Sequence, residues 1–139
     1  MGKKSTDFLF LEHPADIKFK AFGLTLNEAF QNTAKAISSY LSPDKKIQAK
    51  KTKKIHLQAQ DLESLLYTFA DEIIFLLDAE KFVVSKARII VSGTTLEAEF
   101  IGDDSKNYEI KQIKAATYAE MYIKELEDKT WEIQMVLDV

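Results

Sequence analysis

The sequence predicts an α+β fold, two helices packed on one face of a mostly antiparallel or mixed β-sheet, with residues 1–139 forming a single domain. Three observations carry that prediction. Asp16 to Phe22 alternates apolar and polar residues, two capped segments carry apolar stripes at helical spacing, and the chain after Lys81 turns to strand-like texture.

The first strand is expected over Asp16 to Phe22, where Ile17, Phe19 and Ala21 alternate with Lys18 and Lys20 before Gly23 ends the run. Thr25-Leu26-Asn27-Glu28 then reads as a capping box, in which the Thr hydroxyl and the Glu carboxylate reciprocally satisfy free backbone donors. Leu26, Phe30, Ala34, Ile37 and Leu41 form the stripe of this first helix, and Ser42-Pro43 stops it.

A lysine-rich loop, Lys45 to Lys54, leads to a second alternating strand at Ile55 to Ala59, with His56 on the face opposite Ile55 and Leu57. Asp61 is the expected N-cap of the second helix, lined by Leu62, Leu65, Leu66, Phe69, Ile73 and Leu76. Further strands are expected at Phe82 to Val91, Thr95 to Phe100, Ile110 to Ile123 and Trp131 to Val136. Ser92-Gly93 and Asp128-Lys129 mark the hairpin corners.

Composition excludes several functions. The 139 residues contain no cysteine, which removes disulfide frameworks, zinc ribbons, iron–sulfur clusters and thiol nucleophiles. A chain of this length buries about two thirds of its unfolded surface, enough for a core without a staple. The formal net charge of −3 argues against a dedicated nucleic-acid coat. Apolar runs such as Ile73 to Leu77 fall far short of the ~20 residues of a membrane span, so a cytoplasmic protein is expected. Met1-Gly2 with Thr6 formally fits a myristoylation pattern. Phosphate-binding glycine loops, zinc-protease helices, EF-hand strings and nucleophile elbows are absent.

The residues that could carry chemistry lie in separated places. Glu12-His13-Pro14-Ala15-Asp16 sets two carboxylates and an imidazole at the mouth of a strand, where a folded-back loop could aim His13 and Asp16 at one point. The same groups could equally cap backbone donors. At the other end, Asp138 precedes the carboxylate of Val139, and a docked terminal strand would hold both as hard-oxygen ligands. Lys114 is a candidate phosphate or partner contact. Tyr118 and Tyr122 read as packing residues, and the Lys45 to Lys54 run as a solvated face or a phosphate-attracting patch.

Taken in order, these blocks resemble the archease family. The resemblance is carried by Glu12-His13-Pro14-Ala15-Asp16-Ile17 running to Gly23, by Thr25-Leu26-Asn27-Glu28-Ala29-Phe30, by Asp61 to Leu66, by Lys114 to Tyr118 and by Leu137-Asp138-Val139. It implies a non-covalent cofactor that binds a divalent metal, calcium, manganese or magnesium. Such a protein promotes guanylylation of an RtcB-type RNA ligase and its multiple turnover in tRNA splicing and RNA repair. The implied metal ligands are Asp16 and Asp138, supported by His13 and the carboxylate of Val139. Lys114 and Glu12 would contact the ligase or its nucleotide. RNA contact would pass through the ligase, with no membrane involved and no enzymatic activity of the chain's own. Two positions depart from the family pattern: Pro14 replaces the usual Thr, and Ala119 stands where a His often follows Thr-Tyr. Competing expectations are a metal-independent, chaperone-like interaction module and a small hydrolase using His13 as base.

Overall fold

The computed structural model describes residues 6–139, so the Met1-Gly2 pattern lies outside the described residues. Among the described residues, eight strands form two antiparallel sheets. In the first, β1 (Phe8–Leu11) pairs with β2 (Asp16–Gly23), and β2 pairs along its whole length with β8 (Trp131–Asp138). The other edge of β8 carries β6 (Ala115–Ala116) and β7 (Tyr122–Glu125). The second sheet has the order β3 (Lys51–Gln58), β5 (Thr95–Asp104), β4 (Phe82–Ser92).

Helix α1 (Leu26–Leu41) begins as the capping box requires. The Glu28 N–H donates to Thr25 Oγ1 at 3.1 Å, while the Glu28 carboxylate accepts from the Leu24 N–H at 2.6 Å, one residue upstream of the usual return bond. Helix α2 (Leu62–Glu80) is capped by Asp61, whose carboxylate accepts from the Ser64 N–H and is held below the usual carboxylate range by that bond. Lys81, left-handed at φ 56°, ends it.

Helix α1 packs against both β2 and β4 and so bridges the sheets. Phe19 from the first sheet, Phe30 and Phe69 from the helices, and Phe82 and Phe100 from the second sheet are all fully buried in one core. Each such burial stabilises by roughly 1.5–3 kcal/mol. Backbone approach is closest at Gly102, where a Cβ would sit 2.0 Å from the Val83 carbonyl oxygen. That position admits no side chain without parting β4 from β5.

The fold class, the helices, both caps and the two hairpin corners stand as the sequence indicates, with Gly93 and Lys129 both at positive φ. Four details differ. The single sheet is two, because β3, β4 and β5 satisfy one another's ladders and are joined to the first sheet mainly by helix α1. Lys51 to Lys54 belong to strand β3 rather than to a loop, with Lys53 paired to Glu80. The continuous strand expected over Ile110 to Ile123 is cut to two short ones: residues 110–114 lie outside any strand, and residues 117–121 leave the ladder between the Ala116–Leu137 and Tyr122–Gln134 pairs. Side chains replace the missing strand bonds, Thr117 Oγ1 donating to the Val136 carbonyl and Gln134 Nε2 to the Glu120 carbonyl, each at 2.7 Å. Strand β1 was not expected, since Phe8-Leu9-Phe10-Leu11 has no apolar and polar alternation to reveal it. No helix among the described residues is long and apolar enough to cross a membrane.

Candidate metal centre

The loop entering β2 is a tight turn. The Asp16 N–H donates to the His13 carbonyl at 3.3 Å, Pro14 takes the second position, and Ala15 has φ 66°. A proline there with positive φ after it defines a type II turn. The unusual Pro14 is therefore well placed, since its fixed φ suits the site. The turn folds His13 back over Asp16, bringing Nδ1 to 3.5 Å from Asp16 Oδ2.

Strand β8 supplies the rest. Asp138 is the direct register partner of Asp16 on one side and of Ala115 on the other. Residues opposed in this way project from the same face with Cβ atoms about 4.5–5.5 Å apart. The Asp138 carbonyl accepts the Lys114 N–H at 2.7 Å, and Val139 packs partly buried against the core. The two ends of the chain's sequence thus meet at one point, with Asp138 pinned from both flanks.

One neighbour of His13 is not legible in the sequence. Glu120, at positive φ in the 117–121 excursion, places Oε2 3.0 Å from His13 Nε2 and accepts from Lys18 Nζ on Oε1 at 2.8 Å. The Lys18 bond, reinforced by His13, holds the Glu120 carboxyl below its ordinary range. His13 and Glu120 lie 107 positions apart, and only the irregular return past β8 brings them together. His13 Nδ1 is buried and has no hydrogen-bond partner.

The other named candidates sit differently. Glu12 and Lys114 are exposed. Tyr122 is the packing residue with a satisfied hydroxyl that the sequence indicates: it donates to Glu132, and burial pushes its phenol far upward. Tyr118 is 54% exposed and lies flat on Tyr67, ring centroids 4.5 Å apart. Among the described residues no group of three or more His, Cys, Asp or Glu side chains is placed to hold a metal ion. What the site offers is one unpartnered imidazole nitrogen beside the Asp16 carboxylate, with Asp138 opposite Asp16 in the ladder, oxygen and nitrogen donors of the types that hard divalent cations take.

Fold and site together define a small α+β protein with two helix-bridged antiparallel sheets and an aspartate pair at the end of its central strand. The profile of the Archease protein family (MTH1598/TM1083) matches residues 8–139, and the chain belongs to the archease family. The protein archease of Pyrobaculum islandicum is 33% identical, the match covering 98% of this chain and 97% of the relative. The solution structure of Methanobacterium thermoautotrophicum protein 1598 superposes with a TM-score of 0.77 at 26% identity, covering 96% of this chain and 99% of that one. An archease from Thermotoga maritima, described as a possible chaperone, shares the fold with a TM-score of 0.59 at 19% identity over 100% of this chain and 99% of that one.

Proposed function

We propose that this protein is a metal-binding accessory protein that activates an RtcB-type RNA ligase, promoting its guanylylation and multiple turnover in tRNA splicing and RNA repair. The observation that supports this most is the direct cross-strand pairing of Asp16 with Asp138. Two like charges opposed in a ladder are destabilising unless something neutralises them, and a family role in delivering a cation gives that cost a use.

In this reading Asp16, Asp138, the Val139 carboxylate and His13 hold calcium, manganese or magnesium. When bound, the cation neutralises phosphate charge at the partner's nucleotide. So few protein ligands leave coordination positions for phosphate oxygens. Exposed Lys114 and Glu12 are free to engage the ligase or its nucleotide. The chain itself turns over nothing, acts in the cytoplasm and contacts RNA only through its partner.

The test is multiple-turnover RNA ligation by the RtcB-type ligase from the same source, with GTP and Mn²⁺. Stimulation by the wild type but not by a folded Asp138→Ala variant is expected. Equal stimulation by both removes the aspartate pair from the activity.

A metal-independent interaction module is the second reading, favoured because no group of three or more His, Cys, Asp or Glu side chains among the described residues is placed to hold a metal ion. It requires partner binding that chelator leaves intact and that Lys50→Glu with Lys54→Glu abolishes.

A further inference from the structure

The His13 imidazole is held by one carboxylate and faces another. Glu120 Oε2 lies 3.0 Å from Nε2, and Asp16 Oδ2 lies 3.5 Å from Nδ1. An ionised carboxylate can only accept, and Glu120 already accepts from Lys18 Nζ on its second oxygen. The proton of a neutral His13 therefore sits on Nε2. Its Nδ1 is left with a bare lone pair, buried and without a donor, directed at another acceptor beyond hydrogen-bond range.

Two acceptors facing each other across 3.5 Å repel unless a proton or a metal cation joins them. We infer that Glu120 is a positioning residue, which fixes the His13 tautomer and ring so that Nδ1 and the Asp16 carboxylate present their lone pairs to one divalent cation. This rests on the metal reading above and adds to it a residue that touches no metal. A carboxylate behind a ligating imidazole raises its basicity and locks its orientation, and losing such a partner typically costs 10–100-fold in metal affinity.

The backbone is built to hold Glu120 in place. It adopts a left-handed φ of 53°, its carbonyl accepts from Gln134 Nε2 at 2.7 Å, and the Met121 N–H closes a turn onto the Tyr118 carbonyl at 3.2 Å. Lys18, on the β2 strand that also carries Asp16, fixes the carboxylate from the other side. Glu120 thus connects the segment between β6 and β7 to the turn that opens β2.

The experiment has two readouts. Long-range ¹⁵N NMR of ring-labelled protein at neutral pH reports the His13 tautomer without metal, and calorimetry reports Mn²⁺ affinity. The set is wild type, Glu120→Ala, Glu120→Gln and Asp16→Asn, each checked for a native circular dichroism spectrum. The inference expects an Nε2–H tautomer in the wild type, loss of that preference in Glu120→Ala and Mn²⁺ affinity at least about tenfold weaker. Glu120→Gln, whose carbonyl still accepts, should lose less. Unchanged tautomer and affinity in Glu120→Ala, with binding abolished in Asp16→Asn, overturns the inference and leaves the metal site standing. A doubly protonated His13 in the wild type also overturns it. No Mn²⁺ uptake by the wild type overturns the metal reading together with this inference.

Discussion

Asp16 and Asp138 are direct cross-strand partners, 122 positions apart in sequence and opposite each other at the end of the β2/β8 ladder. No other pair in that ladder sets two charged residues opposite each other. The concentration of negative charge is confined to the one end where the turn at His13 closes over it.

Neutralising one member of the pair should therefore stabilise the metal-free protein while destroying cation uptake. Asp16→Asn is expected to raise stability without metal by about 0.2–1 kcal/mol, the usual scale of a cross-strand charge effect. Mn²⁺ at 100 times its dissociation constant should stabilise the wild type by about 2.7 kcal/mol and leave the variant unmoved. Thermal melts with chelator and with Mn²⁺ measure both signs. A variant less stable in chelator would mean that the carboxylate serves the fold instead.

The Val139 carboxylate can be moved without touching the sheet, since the last ladder pair of β8 is at Asp138. Appending one glycine after Val139 should weaken Mn²⁺ binding while leaving the melting temperature in chelator unchanged. Calorimetry on the extended chain decides it, and undiminished binding would take the terminal carboxylate out of the site.

Much of this was written locally. The alternation from Ile17 to Ala21, the Thr25 and Asp61 caps and the Ser92-Gly93 corner each depend on neighbours within a few residues, so pattern and turn chemistry reveal them. The candidate ligands Asp16 and Asp138 were legible as residue types, but their pairing is a property of the β2/β8 register. Glu120 was not legible because its segment departs from strand periodicity, and its partners His13 and Lys18 lie on the far side of the sequence. Strand β1 escaped for a different reason: four consecutive apolar residues carry no period from which to read a strand.

The turn before Asp16 carries a measurable strain. Ala15 holds φ 66°, a region that costs an L-residue with a Cβ about 1–2 kcal/mol. Ala15→Gly should remove that cost and, after the added freedom of the unfolded chain, raise stability by up to about 1 kcal/mol. Ala15→Val should lower it, because a branched Cβ fits that region worst. Denaturant unfolding of the three proteins gives the order Gly, Ala, Val, and a Val variant as stable as the wild type would mean that the turn is not held in solution.

A second polar cluster, remote in sequence from the aspartate pair, should govern the acid limb of stability. Asp103 is buried on β5, where Tyr108 donates its hydroxyl to Oδ2 at 2.7 Å, the Asp104 N–H donates to Oδ1 at 2.7 Å, and Asn107 reaches Oδ2 at 3.4 Å. The Tyr108 bond above all holds the Asp103 carboxyl below its ordinary range, against the opposing effect of burial. A depressed native carboxylate binds fewer protons than the unfolded chain does, so its contribution is complete above the unfolded value of about 3.9 and is lost as pH falls from there through the native value. Tyr108 itself is pushed upward, by burial first, and accepts from the Gln48 N–H at 2.9 Å. Its contribution has the opposite sign, present below the unfolded value of about 10 and lost as pH rises past it. Tyr108→Phe should therefore lower stability at neutral pH and flatten both limbs, because the largest cause of the Asp103 shift and the phenol disappear together. Asp103→Asn should flatten the acid limb attributable to this carboxylate and, by removing the lesser causes of the Tyr108 rise, weaken the alkaline limb without abolishing it. Urea midpoints from pH 2.5 to pH 11 test this, and an acid limb of undiminished slope in both variants would assign acid sensitivity to other carboxylates.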